Sequence, residues 1–271
     1  MAETADKTAF RILVAGFGSV SHVQPRDLPN PAFEIIKRLP STLSPTNTSH
    51  TQPNLEIVTH PDPLPSSYHG LLHTVPALVR DNIEAVDLVL LIGVAVGQEY
   101  YSVEQSARRD GYHEVPDLDR RTLAKGEGVE IWGRKSRESL ATSVDLAAVV
   151  EAWHEELAGV QYDQGKGKKV GSKNGEGPGR ARQQLPPEVR HTDDVGSYVC
   201  GLVYYATLAE LVRITEERTT AEATPGKKNV EGRAVFLHVP LLLGEEQLEM
   251  GYGVVMALIK ALGMVDSNAA R

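Results

Sequence analysis

The run Leu-Val-Leu-Leu-Ile over residues 88–92 places five apolar residues in succession, with no polar residue that would face solvent. A strand of this kind is typical of a sheet that is covered on both faces, the usual setting of parallel strands. Runs rich in β-branched, aromatic or aliphatic residues also occur at 11–15, 55–59, 129–132 and 234–239. Together they predict five strands.

Segments with helical periodicity lie between these runs. Apolar residues recur at a spacing of three and four in residues 30–39, 68–83, 144–157, 197–213 and 246–262. Alternation of strands and helices predicts an α/β fold, a doubly wound and mainly parallel sheet with helices on both faces, formed as a single domain over residues 1–271. Ligands in such folds bind at the carboxyl ends of the strands.

The composition excludes several classes of protein. The chain has 271 residues, of which 41% are hydrophobic and 24% charged, as in ordinary globular domains. A net charge of −8 argues against nucleic acid or an anionic membrane as a partner. The first ten residues are polar, and we find no run of roughly 18 apolar residues that would span a bilayer. We therefore expect a protein of the cytosol.

Residues 165–182 differ in composition from the rest of the chain. They contain six glycines and six basic residues but a single Glu. Such a segment cannot bury apolar area, so we expect a mobile surface insertion. It holds no aromatic residue that would stack on a base, which argues against nucleic-acid binding there.

Cys200 is the only cysteine of the chain, so no intramolecular disulfide can form. It follows the polar residues 192–197, and Val199, Leu202, Val203 and Ala206 recur after them at helical spacing. The pattern predicts that Cys200 lies in the first turns of a helix, where the positive end of the dipole favours a thiolate. The alternative is an inert cysteine that packs as a small hydrophobe.

A nucleophilic thiol needs a base, and His238 lies near the end of the predicted strand 234–239. Glu104 follows the strand 88–92 and is a candidate for orienting the imidazole, with Glu99 as a competitor. Taken alone, a histidine at this place is more often a hydrogen-bonded residue of the core or its rim than a catalytic base. The Gly16-Phe-Gly-Ser-Val-Ser segment almost matches a dinucleotide fingerprint, but Ser21 replaces its third glycine.

Seven segments resemble the pyroglutamyl peptidase I family, also called pyrrolidone-carboxylate peptidases. In chain order they are Leu13-Val-Ala-Gly-Phe-Gly, Asn30-Pro-Ala-Phe-Glu, Leu64-Pro-Ser-Ser-Tyr, Leu91-Ile-Gly-Val-Ala-Val-Gly, Ser102-Val-Glu, Tyr198-Val-Cys-Gly-Leu-Val-Tyr-Tyr and Phe236-Leu-His-Val-Pro. The resemblance implies an intracellular cysteine exopeptidase that acts on peptides with an N-terminal pyroglutamate and uses no cofactor or metal. It also implies Cys200 as nucleophile, His238 as base and Glu104 as the third member of a triad.

By the same resemblance, the walls of the pyroglutamyl pocket come from Phe17, Ser66, Tyr198 and Val199, with Val94 near the ring amide. Val20 stands where family members usually have a second Phe against the ring, which predicts weaker binding of the acyl group. The basic residue often found after the triad carboxylate is not clearly matched, and Arg109 or His113 would have to replace it. Two alternatives stay open, a cysteine amidase or hydrolase of the same fold with another acyl specificity, and a noncatalytic binding protein.

Overall fold

The computed structural model describes residues 9–18, 30–44, 53–158, 186–220 and 229–269. The predicted insertion at 165–182 and the predicted pocket residue Val20 lie outside the described residues. Within the described ranges the chain forms nine strands and six helices. In chain order they are β1 (Phe10–Gly16), α1 (Pro31–Ile36), β2 (Thr42–Leu43), β3 (Leu55–Thr59), α2 (Tyr68–Asn82), β4 (Leu88–Ala95), β5 (Tyr101–Glu104), β6 (Ser106–Arg108), α3 (Glu127–Trp132), β7 (Ser139–Ala141), α4 (Leu146–Ala158), β8 (Val189–Thr192), α5 (Val199–Thr220), β9 (Ala234–Pro240) and α6 (Glu245–Ala269).

Seven strands form one mixed sheet in the order β2-β3-β1-β4-β9-β5-β8. The centre of the sheet, β3-β1-β4-β9, is parallel throughout, and β8 is parallel to β5. Only β2 against β3 and β5 against β9 are antiparallel among these pairings. The predicted mainly parallel α/β fold is therefore confirmed. Strands β6 and β7 pair separately as a small antiparallel sheet.

Each strand divides its side chains between two hydrophobic clusters because successive side chains point to opposite faces of a sheet. In β4, Val89 and Leu91 belong to the cluster that α2 and α5 cover, whereas Leu88, Leu90 and Ile92 belong to the cluster that α1, α4 and α6 cover. We call the first the front face and the second the back face. The alternation places Gly93, the next residue of β4, on the front face.

The prediction of a strand at residues 129–132 is wrong, because these residues lie in the short helix α3. Gly126 is the N-cap of this helix, with φ of 81°. Glu127 and Glu130 lie in the first turn, where their negative charge interacts favourably with the positive end of the helix dipole. Trp132 packs edge-on against Tyr205 of α5 with the ring centroids 4.8 Å apart. The helical structure of these residues, with its contact to a second helix, overrides their local strand propensity. The other four predicted strands and all five predicted helices are present.

Helix α6 is apolar because it packs inside the protein. Over Glu245–Asp266 its length and composition would suffice to cross a bilayer, but 56% of its most apolar stretch is buried. Its buried residues meet α4 on the back face, where Trp153 Nε1 donates to the Val254 carbonyl at 2.9 Å. Burial against the sheet therefore accounts for the hydropathy of this helix.

Arg233 fixes the beginning of the two central strands relative to each other. Its Nε donates to the Asp87 carbonyl just before β4, and its two terminal nitrogens donate to both carboxylate oxygens of Asp266 in α6. The register that follows pairs Val89 with Ala234 and brings Gly93 beside His238. An ion pair at one end of the strands thus supports the alignment of residues at the other end.

We expect Asp266→Asn to lower the free energy of unfolding by about 2–3 kcal/mol, because it breaks a largely buried, two-point ion pair. Glu231→Gln is the matched control, since Glu231 pairs with Arg137 while both side chains are more than a third exposed. The control should cost less than about 1 kcal/mol. Urea unfolding of the three proteins measures both values, and equal losses in the two variants would contradict the role of Arg233.

Candidate active site

Cys200 is the second residue of α5, as the sequence predicts, and its side chain lies against the front face of β4. A Cβ atom added to Gly93 would lie 2.9 Å from Cys200 Sγ and 2.7 Å from Cζ of Phe236. No side chain fits at residue 93 without displacing the sulfur or the ring. Gly93 therefore leaves the space in which Sγ approaches the sheet, a role that the sequence analysis missed.

His238 lies on β9, directly paired with Gly93 across the parallel ladder. Its side chain is on the front face and is 6% exposed. Nδ1 donates to Glu104 Oε1 at 2.8 Å, and the imidazole is also hydrogen-bonded to Cys200. The ring of Phe236 contacts it edge-on at 4.9 Å between centroids. One imidazole therefore joins the thiol to the carboxylate.

Glu104 ends β5 and is 2% exposed, so its charge depends on hydrogen bonds from the protein. Ser102 Oγ donates to Oε1 at 2.8 Å, and Thr192 Oγ1 donates to Oε2. Ser102 shares a face with Glu104 because the two are separated by one residue of a strand. Thr192 is the partner of Glu104 in the parallel pairing of β5 with β8.

Ser102 and Thr192 were not assigned a role from the sequence. The spacing of Ser102 and Glu104 would have indicated a shared face if residues 101–104 had been recognised as a strand. Nothing in the sequence pairs Thr192 with Glu104, because β8 lies 88 residues further along the chain. Glu99, the competitor of Glu104, is an exposed residue of the connection between β4 and β5.

The environment of His238 favours its charged form. Burial alone would lower its pKa, but the hydrogen bonds to Cys200 and Glu104, with their negative charge, raise the pKa from 6.5 to about 9. The imidazole is thus protonated at neutral pH, held between the Cys200 sulfur and the Glu104 carboxylate. A cation beside a sulfur is the setting in which a thiol serves as a nucleophile.

A group of tyrosines and a buried carboxylate lie beside the sulfur. Tyr198 packs edge-on against Tyr68 with centroids 6.2 Å apart, and burial, Asp117 and Cys200 all raise the pKa of Tyr198. Asp117 is completely buried, and its two carboxylate oxygens accept from the backbone N–H groups of Tyr68 and Arg121 at 2.8 and 2.9 Å. Asp117 thereby joins the residue 117–121 turn to the beginning of α2. Asp117 is a further residue that the sequence analysis missed.

The predicted pocket residues fall into two groups. Phe17, Tyr198 and Val199 all pack in the front cluster with Cys200. The Ser66 carbonyl accepts from Leu118 N, which places Ser66 beside the same turn. Val94, in contrast, packs its side chain against the back cluster, so only its backbone can face the sulfur.

Neither proposed basic residue reaches the three central side chains. Arg109 donates from Nη1 to the Ser136 carbonyl at 2.8 Å and from Nε to Asp110 at 2.9 Å, which ties it to the segment after α3. His113 Nε2 lies 3.9 Å from a carboxylate oxygen of Glu114. Among the described residues there is no cluster of three or more His, Cys, Asp or Glu side chains that would hold a metal. The groups that this site offers for chemistry are a thiol, an imidazole and a carboxylate, with the imidazole between the other two.

The structure is similar to solved structures of one kind of enzyme. Pyroglutamyl peptidase I from Bacillus amyloliquefaciens matches with a TM-score of 0.60 at 15% identity, covering 94% of this chain and 95% of that chain. Pyrrolidone carboxyl peptidase from Fervidobacterium islandicum matches with 0.57 at 18% identity, covering 93% and 97%. The enzyme from Thermococcus litoralis matches with 0.59 at 15% identity, covering 97% and 96%.

No protein-family profile and no curated protein matches the sequence itself. The similarity therefore lies in the three-dimensional structure. It covers nearly the whole of each chain and confirms, at the level of the fold, the resemblance that the sequence segments indicated.

We expect His238 to titrate near pH 9 in the folded protein. Cys200→Ala and Glu104→Gln should each lower this midpoint, because each removes a group that raises the pKa of His238. Because the folded pKa is above the unfolded value, the stability from this proton is complete below about pH 6.5 and is lost as the pH rises through about 9. NMR of the imidazole follows the titration. A wild-type midpoint near 6.5 would contradict the arrangement.

Proposed function

We propose that the protein is a cysteine exopeptidase that hydrolyses the amide bond after an N-terminal pyroglutamyl residue. The observation that carries the proposal is a single buried imidazole, His238, hydrogen-bonded at once to the Cys200 thiol and the Glu104 carboxylate. It occurs in a chain with the fold of pyroglutamyl peptidases. The peptide substrates are inferred from those neighbours together with this site.

The proposed reaction begins with the ion pair of Cys200 and His238. The thiolate attacks the pyroglutamyl carbonyl, and the oxyanion that forms is stabilised by backbone N–H groups in the first turn of α5, which have no partner within the helix. His238 then gives its proton to the leaving amine, and the C–N bond breaks to leave a thioester. His238 next takes a proton from water, which attacks the thioester and releases pyroglutamate. Glu104 keeps Nδ1 protonated throughout and orients the ring.

The surroundings of the sulfur suit a neutral acyl group. Phe17 and Val199 are apolar and buried, and the raised pKa of Tyr198 keeps its phenol uncharged. Burying an ammonium group among these residues would be costly unless it were paired. A pyroglutamyl ring has no free amine, so it avoids this cost, whereas an ordinary charged N-terminus does not.

The direct test is hydrolysis of L-pyroglutamyl-7-amino-4-methylcoumarin by the purified protein. L-prolyl-7-amino-4-methylcoumarin is the matched control, because its five-membered ring carries an amine instead of a lactam. We expect hydrolysis of the first substrate and a kcat/KM at least about 100-fold lower for the second. A 100-fold ratio corresponds to a difference of about 2.7 kcal/mol in transition-state stabilisation. Comparable rates, or hydrolysis of neither, would reject the proposed specificity.

We expect Cys200→Ala and His238→Ala each to reduce kcat/KM by about 10³-fold or more, because nucleophile and base act as a unit. Glu104→Gln should cost less, about 10- to 10³-fold, because the carboxylate orients the imidazole without accepting its proton. Circular dichroism checks that the variants fold. Near wild-type hydrolysis by Cys200→Ala would end the assignment of the nucleophile.

Thr192→Val removes one hydrogen bond to the buried Glu104 carboxylate, and we expect kcat to fall by about 10- to 100-fold with little change in KM. Thr207→Val is the matched control, since the Thr207 hydroxyl is buried in α5 without a hydrogen-bond partner among the described residues. The control should keep wild-type kcat. If both variants behaved alike, Thr192 would be a packing residue only.

A further inference from the structure

The order of the strands indicates on which side of His238 each part of a bound substrate lies. Phe17 follows β1 and packs in the front cluster, and Gly93 of β4 lies against the Cys200 sulfur, so the acyl pocket is placed on the β1 and β4 side of His238. The imidazole that protonates the leaving amine lies on the next strand, β9. The departing peptide therefore extends over the two remaining strands, β5 and β8.

Arg190 lies on β8 level with His238. Ser102 of β5 pairs with His238 on one side and with Arg190 on the other. Val189 packs in the back cluster, so Arg190 takes the front face together with Ser102 and His238. Neighbouring strands are about 4.8 Å apart, which puts Arg190 about 10 Å from His238 along the sheet. An extended chain covers about 3.5 Å per residue, so the first residues of a leaving peptide span this distance.

The guanidinium of Arg190 lies over an aromatic ring. Its Cζ lies 3.2 Å from the centroid of Tyr100, the residue before β5. The ring covers one side of the guanidinium, and the two terminal nitrogens of a guanidinium match the two oxygens of a carboxylate. The only ion pair of Arg190 within the described chain is a long one, 3.4 Å from Nη1 to the well exposed Glu188.

Two buried polar atoms of this segment have no hydrogen-bond partner in the part of the chain that the structure describes, Nε of Arg190 and Oε1 of Gln98, two residues before Tyr100. Because Nε is enclosed, a ligand would meet the terminal nitrogens of the guanidinium, which are donors that suit a carboxylate. The Arg190 side chain as a whole is 43% exposed, so a ligand can reach it.

We propose that Arg190, held on Tyr100, binds a carboxylate of the departing peptide and makes the enzyme favour substrates that carry one close to the scissile bond. The inference rests on the proposed function. The carboxylate has two sources, the C-terminus of a short pyroglutamyl peptide or an acidic side chain in the residue after pyroglutamate. Both present the same group to the guanidinium.

Two matched pairs of substrates separate these sources. Pyroglutamyl-alanine is compared with its C-terminal amide, and pyroglutamyl-glutamate amide with pyroglutamyl-glutamine amide. We expect kcat/KM to be about 3- to 10-fold higher for the charged member of at least one pair, chiefly through KM, and the ratio to shrink as salt is added. The pair that shows the preference identifies the carboxylate.

Arg190→Gln should bring that ratio close to one, and Arg190→Lys should retain part of it, because lysine keeps the charge without the planar fork. Arg11→Gln is the control, since Arg11 also forms an ion pair and is 48% exposed but lies at the opposite end of β1. It should keep the wild-type ratio. A variant that is merely destabilised lowers both members of a pair and leaves the ratio unchanged.

The inference is overturned if wild type hydrolyses both members of each pair equally, or if Arg190→Gln keeps the preference. In either case Arg190 and Tyr100 form a structural stack, and the proposed peptidase activity stands. Absence of hydrolysis of every pyroglutamyl substrate would instead remove the proposed function and the inference with it.

Discussion

The site depends on a steric constraint at the pairing of β4 with β9. Gly93 and His238 are direct partners in this parallel ladder, and the Cys200 sulfur occupies the space above the glycine. A methyl group at residue 93 would clash with both the sulfur and the Phe236 ring. Because the strands and α5 are packed in a dense core, they cannot separate cheaply to admit it. The distance between thiol and imidazole thus follows from the close approach of a helix to a sheet.

The buried carboxylate gives this arrangement its charge. Glu104 is almost completely enclosed, and leaving an enclosed carboxylate without donors would cost several kcal/mol. Ser102, Thr192 and His238 supply those donors from three different strands. The same bonds hold the carboxylate in one orientation, so the groups that make its burial tolerable also fix the imidazole. Stability and chemistry share one hydrogen-bond network here.

Strands β5 and β8, at the edge of the sheet, run antiparallel to β9 and place side chains near His238 that a purely parallel sheet would place at its other end. Since β5 runs antiparallel to β9, its beginning lies at the same edge as the carboxyl end of β9. Arg190 therefore comes level with His238, and Tyr100, two residues before Ser102, lies at the same edge of the sheet. The proposed acyl side of the site is built from the parallel centre of the sheet, and the proposed leaving-group side from β5 and β8, which run antiparallel to β9.

The sequence by itself determined the α/β class, the four strands β1, β3, β4 and β9, and the helix that carries Cys200 in its first turn. These features follow from local patterns, either a continuous apolar run or apolar residues that recur every three or four positions. Such patterns indicate the same secondary structure in most proteins. Short stretches gave no such pattern. Residues 101–104 and 189–192 contain too few residues to show a period, and 129–132 reads as a strand although it is helical.

The choice of Cys200, His238 and Glu104 could be made from the sequence because each residue type carries its own chemistry. Only the tertiary structure decided that Gly93, Ser102 and Thr192 support them, and that Arg190 lies on the same face. Serine, threonine and glycine occur everywhere in a chain, and an arginine is usually a solvated surface residue. Their roles arise from strand pairings between segments that are far apart in sequence, and pairing is set by how whole strands pack, which no single segment encodes.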